Sequence, residues 1–543
     1  MSDHVALNTN RRAEPQRLDT FDMGPRTFET ADIWIGCALI ALLAGFAVFL
    51  RYITVLNADT SWLITVSEQI LAGKKLYVDV AETNPPASVW LYLPIVALAH
   101  VLRVSPEAAV TVYIFAVFFF SVGLTGMILS RADGLRRYDV FLLIPILLAL
   151  FAVMPGEVFS QREHIAVMLC LPFLAATWAR ANEKVLGWPF LIAAGVCGAV
   201  VAIIKPHFVL ALELPVLIAL LARPRWHTLF SPENVIAGLL TAIYSAMTFM
   251  LYPEYWTVTM KTNVLLYLPV ADRWRAFTSI TTPILLAAFL TSWLYCGRSF
   301  LRHPTLILLA AATGFCVAFV VQGKMWLYHV YPVVALVALA GVLAVFDRSL
   351  SPSAGRQSEV SPLLAKHRLL CRLLNPGMAS IAALIYFVPL FFVDFDSHKL
   401  SAAVMRLQSK PTMAILSGES WLGHPVVRLV NGRWGMTQPS LWILANGQFL
   451  RHHPMFDQAT LPAIEAIENA DLARLLADLQ RNRPDILLRL TEERGLYDRV
   501  RAFPGMADEL DRYELASAFP VAQDRFTVNI LRRRPDLRTS INP

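Results

Sequence analysis

Along this chain apolar residues collect into long runs separated by short charged segments, and the runs are of bilayer length. A helix needs about 20 apolar residues to cross the hydrocarbon. Runs near 32–52, 107–130, 138–154, 164–180, 187–204, 207–222, 234–252, 277–296, 304–322, 329–346 and 378–395 approach that measure and predict eleven transmembrane helices. One further run, 87–102, is shorter, follows Pro85-Pro86 and contains Pro94. Proline inside a helix removes a hydrogen bond and crowds the preceding turn, so this run reads as a juxtamembrane helix.

Beyond residue 395 the pattern changes. The chain becomes rich in Arg, Asp and Glu, with short apolar runs at 412–416, 426–429, 485–490 and 526–531 that read as strands. Between them, 461–479 repeats apolar residues at helical spacing. The expected architecture is an α-helical polytopic membrane protein with juxtamembrane helices in its first external loop (53–106) and a C-terminal soluble α/β domain. The boundaries that follow are a disordered cytoplasmic tail at 1–31, a transmembrane part at 32–395 and an external domain at 396–543. Residues 349–361 read as a polar linker, and there is no internal repeat.

Composition agrees with the pattern. Of 543 residues, 56% are hydrophobic and 16% charged, and the mean hydropathy is +0.53, which excludes an ordinary soluble protein. The formal charge of +7 does not point to nucleic acid, because many arginines lie in short clusters between apolar runs, where they orient membrane helices. The six cysteines contain no C-x-x-C pair, so neither a disulfide framework nor a zinc site is indicated. The polar, arginine-containing start lacks the short apolar core of a signal peptide, so the first span is expected to be retained.

The same arginines decide the topology. If 87–102 crossed the membrane, Arg131, Arg136, Arg137, Arg223, Arg225, Arg298, Arg302 and the basic 348–372 loop would all lie outside. If it lies along the interface, every one of them falls inside together with Arg11, Arg12, Arg17 and Arg26, as the positive-inside rule requires. The external surface then comprises 53–106, 155–163, 205–207, 252–275, 322–329 and everything after 394. The expected location is a bacterial inner membrane with the C-terminal domain in the periplasm.

Charge just past a span end needs a functional or solvation reason, and Asp59 stands a few residues beyond the first run. It is followed by Gln69-Ile70-Leu71-Ala72-Gly73-Lys74-Lys75-Leu76-Tyr77-Val78-Asp79 and by Asn84-Pro85-Pro86 leading into the juxtamembrane run. In this order of features, over about the first 220 residues, the chain resembles the glycosyltransferase-C superfamily, which includes protein O-mannosyltransferases and the lipid A aminoarabinose and galacturonic acid transferases. The resemblance implies an inverting transfer from a polyprenyl-phosphate sugar to a lipid, glycan or protein acceptor, with the loop acid, here Asp59, as general base. Some members carry an Asp-Glu pair; here Asp59 is followed by Thr60.

The chemistry fits on its own terms. Transfer to a hydroxyl needs a base, and a phosphate leaving group needs cationic groups that hold developing charge. Arg162 in Gln161-Arg162-Glu163-His164, Lys205 in Lys205-Pro206-His207 and Lys324 in Gly323-Lys324-Met325 lie at span ends. Glu163, His164, His207, Asp79 and Glu82 complete the substrate-binding candidates. No metal motif appears, although Asp59 and Glu163 leave room for a divalent cation held through water, and no phosphate-binding glycine loop supports a soluble nucleotide donor.

Each candidate also has a plainer reading. Asp59 can cap a helix starting at Trp62, and Arg162 and Lys205 can snorkel to the interface. Arg162, Glu163 and His164 can form a buried structural network. Histidines at 207 and 329 pack more often than they bind metal, and Trp256, Tyr267, Trp274, Trp326 and Tyr328 suit an interfacial aromatic belt. A transporter or flippase of lipid-linked sugars is the alternative function, but such proteins place ionisable groups and broken helices near span centres in matching halves, whereas these charges sit at span ends. Reporter fusions after Arg137 and after Lys410 are expected to report opposite sides of the membrane. The same side for both sinks the external-site reading.

Overall fold

Every one of the eleven apolar runs is helical in the computed structural model, which describes residues 30–132, 137–222, 224–296, 303–346, 376–392, 396–453, 457–522 and 525–534. Among the described residues, eight helices are long and apolar enough to cross a membrane, the first at Ile33–Ile53 and the last beginning at Gly377. The runs expected at 138–154, 187–204 and 207–222 form shorter apolar helices of 10–17 residues. The 87–102 run is split into Ala87–Trp90 and Leu93–Leu102. Pro94 falls in the first turn of the second piece, where no backbone donor is required. The tail at 1–29, the 349–361 linker and the whole 348–372 basic loop lie outside the described residues.

One helix organises the bundle. Arg162–Ala181 is 94% buried along its span, against 11% for Pro232–Leu251. It packs on the helices Pro106–Arg131, Trp188–Ile204, Val209–Ala222, Pro304–Gln322 and Leu327–Phe346. It is also among the least hydropathic of the spans, as suits a helix whose polar N-terminal turn faces protein rather than lipid. Close approach elsewhere relies on small residues: a Cβ at Gly314 would stand 2.3 Å from the Ala211 backbone nitrogen, so only glycine permits that crossing.

The C-terminal region forms one five-stranded sheet. Its strands are β1 (Thr412–Ile415), β2 (Arg433–Trp434), β3 (Ile486–Leu490), β4 (Tyr513–Val521) and β5 (Phe526–Arg533), in the order β2-β1-β3-β5-β4. β1 runs parallel to β2 and β3, while β5 is antiparallel to β3 and β4. The runs expected at 412–416, 485–490 and 526–531 are β1, β3 and β5. The 426–429 run is instead a helical turn, Val426–Leu429. Parallel β1 and β2 require a crossover, and this apolar turn lies on it. β4 escaped the sequence reading because it is half exposed and carries a register shift between Leu515 and Ser517.

The sheet region is fastened to the first loop. Arg428, on the crossover turn, donates to Glu68 through Nη1 at 2.8 Å and Nη2 at 3.0 Å, to Thr65 Oγ1 at 3.2 Å, and through Nε to Glu107. His424 meets Trp62 edge-on with ring centroids 5.3 Å apart. The Ala81 amide donates to the Thr437 carbonyl at 2.8 Å, and Asn446 Nδ2 to the Leu266 carbonyl at 3.1 Å. A bidentate arginine gripping two carboxylates is a geometrically specific lock. Arg428→Ala is therefore expected to speed amide hydrogen exchange in Ala58–Leu71 and in Val426–Leu429 while β1 and β3 stay protected; unchanged exchange in both helices removes the lock.

Candidate active site

The helix that follows the first span starts at Ala58, earlier than Trp62, and its N-cap is Asn57, whose Oδ1 accepts the Asp59 amide at 2.9 Å. The capping role considered for Asp59 thus belongs to Asn57. Asp59 sits in the first turn, where the helix dipole favours a carboxylate, and its side chain is 30% exposed. Its Oδ2 accepts from Arg162 Nη2 at 3.4 Å and from Gln161 Nε2 at 3.4 Å. Gln161 also donates to Asn57 Oδ1, tying the two helix starts together.

Arg162 is buried, with a side chain 4% exposed. Its Nη1 donates to Ser88 Oγ at 3.2 Å, and its Nε makes no hydrogen bond. The next residue points elsewhere. Glu163 Oε1 accepts from Lys205 Nζ at 2.5 Å and lies 3.3 Å from His329 Nε2. Lys205 Nζ further reaches Gln322 Oε1 at 3.3 Å and His329 Nε2 at 3.1 Å. These contacts saturate the three ammonium donors. Burial pushes the Lys205 amine down from its ordinary value, and Glu163 opposes that shift.

Two tyrosines flank lysines of this region, and the ring centroid of Tyr328 stands 5.8 Å from Lys205 Nζ. Lys324 Nζ stands 3.9 Å from the centroid of the Tyr267 ring and donates to the carbonyls of Tyr267 and Val270. It braces Tyr267 rather than facing Asp59 directly. Tyr328 stacks edge-on to His329 with centroids 4.5 Å apart. By contrast Trp274 and Trp326 are exposed, at 74% and 42%, as a belt position requires.

Several expected site residues form no hydrogen bond with Asp59 or Arg162. His164 is completely buried, with Nδ1 accepting from the Ser160 amide at 3.3 Å and Nε2 lying 2.8 Å from the Phe151 carbonyl. Both ring nitrogens serve the backbone, so this is a packing histidine. Glu82 accepts from Trp62 Nε1 at 2.6 Å and from the Asn84 amide at 2.8 Å, which organises the loop before Pro85. Asp79 is exposed and accepts the Lys75 amide at 2.8 Å within its own turn. His207 lies in the turn beside Lys205, with Nε2 free of hydrogen bonds. Asp59 and Glu163 each face a cation, so they do not form a joint anionic pocket for a divalent ion; among the described residues no group of three His, Cys, Asp or Glu could hold a metal.

The sequence reading did not single out Asn57, Gln161, Ser88 or Gln322. The last three carry no formal charge and no motif; the only signal was their position beside Arg162, Pro86 and Lys324.

No family model matches the chain and no curated protein matches it. Among solved structures, it is similar to the crystal structure of ArnT from Cupriavidus metallidurans bound to undecaprenyl phosphate, at 12% identity and a TM-score of 0.49, over 93% of this chain and 98% of that one.

The Lys205–Glu163 pair carries side chains 10% and 0% exposed, and removing one partner of a buried pair leaves an uncompensated charge costing about 3–5 kcal/mol. Lys205→Met is expected to lower thermal stability more than the double variant Lys205→Met/Glu163→Gln. Equal losses in both, read as the unfolding midpoint in detergent, would show that the two charges are not coupled.

Proposed function

We propose that this chain is a membrane glycosyltransferase that moves a sugar from a polyprenyl-phosphate donor to an acceptor hydroxyl at the external face, with the C-terminal domain in the periplasm. The observation that carries this reading is the partly exposed Asp59 carboxylate 3.4 Å from a buried Arg162 whose Nε donor is unused. A base open to solvent beside an under-used, desolvated guanidinium is what transfer from a phosphate requires.

The step balances as follows. The acceptor oxygen attacks the anomeric carbon while Asp59 takes its proton, and the carbon–oxygen bond to phosphate breaks with the electron pair leaving on the polyprenyl phosphate. Attack from the face opposite the leaving group inverts the anomeric centre. Arg162 offers the phosphate parallel donors. As the phosphate engages Arg162, the Asp59 carboxylate is left free to receive the acceptor's proton. Lys205 is engaged by Glu163, Gln322 and His329, so its part is to hold Glu163 and, through it, the start of the Arg162 helix.

Purified protein incubated with labelled polyprenyl-phosphate sugars and membrane extract is expected to yield a labelled product. Asp59→Asn should lose about 10²-fold or more in turnover, the ordinary worth of a positioned base, with donor binding kept. Arg162→Ala should lose turnover more than donor binding, because its hold strengthens as charge develops. Arg162→Lys should recover little, since an ammonium cannot grip phosphate through two parallel donors. Full activity in both Arg162 variants removes that residue from the site, and near-normal turnover in Asp59→Asn ends the base assignment.

A further inference from the structure

A cavity of about 150 Å³ lies where the first loop and the 255–267 segment meet the C-terminal region. Its walls include Tyr77, Glu82, Asn263, Gln438, Trp442 and Asp471. Trp442 meets Tyr267 edge-on with centroids 6.1 Å apart, and Glu82 holds Trp62 of the helix that carries Asp59. The cavity is thus next door to the Asp59 and Arg162 cluster.

Its polar lining mixes acceptors with the Arg474 guanidinium and threonine hydroxyls. Asn263 spends its amide donor on the Thr83 carbonyl at 2.9 Å, and Gln438 spends its own on Asp471 Oδ2 at 3.2 Å. Because each amide nitrogen must face an acceptor, the orientation of both groups is determined. Besides the Thr437 hydroxyl, what remains buried without a hydrogen bond is Asn263 Oδ1, Gln438 Oε1 and Asp471 Oδ1, and the last three residues are only 9%, 2% and 2% exposed. The nearest charge to Asp471 Oδ1 is the Arg474 guanidinium at 3.9 Å, itself 41% exposed. Leaving buried acceptors unsatisfied is costly, so the cavity calls for a ligand rich in donors. The remaining lining includes Trp442, Tyr77, Val258 and Ile443, which suits the C–H faces of a ring better than a bare ion. Burial lifts the Asp471 carboxyl to about 6, and a hydroxyl donating to it would relieve that strain on its charged form.

Resting on the transferase reading above, we infer that this cavity is the acceptor subsite and that it takes a saccharide headgroup, whose hydroxyls donate to Asn263, Gln438 and Asp471 and whose ring lies against Trp442.

The test is saturation-transfer NMR on the full-length protein in a non-glycosidic detergent, with methyl α-mannopyranoside, methyl β-galactopyranoside and methyl N-acetylglucosaminide as probes. At least one glycoside is expected to receive saturation. Ala470→Trp, at an exposed helix position on the cavity wall, should abolish it, and Asp471→Asn, which turns an acceptor into a donor, should weaken it about tenfold, the value of one hydrogen bond to a charged group. Polyprenyl-phosphate binding should be unchanged in both. Equal saturation in Ala470→Trp overturns the proposal, as does no saturation from any probe, or calcium binding by calorimetry that Asp471→Asn abolishes. Glycoside binding that persists while Asp59→Asn keeps full turnover would sink the catalytic reading alone and leave the subsite standing.

Discussion

Two consecutive charges at the start of one buried helix constrain this molecule more than any other feature. Successive side chains on a helix point about 100° apart, so Arg162 and Glu163 cannot share a partner. Arg162 turns to Asp59 and Glu163 to Lys205. Neither charge can be left alone where both side chains are nearly buried, since an isolated ion in a low-dielectric interior is far costlier than a pair. The helix that begins at Ala58 and the turn at Lys205 are accordingly drawn to the same end of the Arg162–Ala181 helix.

The two pairs differ in kind. Glu163 and Lys205 are closed in, with His329 and Gln322 completing the shell. The Asp59 pair is longer, at 3.4 Å, and its carboxylate opens to solvent. A tight pair that anchors and a loose pair that can exchange partners, set on adjacent residues, let a ligand engage Arg162 without disturbing the fold behind it. This asymmetry leaves the Asp59 side of Arg162 open to solvent and the Glu163 side closed.

The C-terminal region is fastened to the segments around this cluster. Arg428 grips Glu68, on the helix that carries Asp59, while Trp442 packs on Tyr267 and the Thr437 carbonyl receives the Ala81 amide. Polar contacts of this kind hold the first loop against the sheet region from several directions. They also enclose a cavity whose buried oxygens lack donors, which is the opposite of what a purely structural interface selects.

What the sequence determined by itself was local. Run length and composition set the helices, because bilayer thickness imposes about 20 apolar residues, and short apolar runs marked β1, β3 and β5. Charged residues at span ends stood out for the same reason, since hydrocarbon excludes them. Which charges met was decided only by the tertiary structure: pairing Asp59 with Arg162, and Lys205 with Glu163 and His329, depends on how segments more than 40 residues apart are brought together. His164 shows the limit, since it neighbours two site candidates in sequence yet faces the backbone of Phe151. Val426–Leu429 reads as a strand and is a crossover turn, because parallel pairing elsewhere overrode local propensity. Neutral partners such as Gln161, Ser88 and Gln322 were silent for a simple physical reason: an uncharged side chain leaves no mark on hydropathy or periodicity, and acquires its role only from the groups that the fold brings within hydrogen-bonding distance.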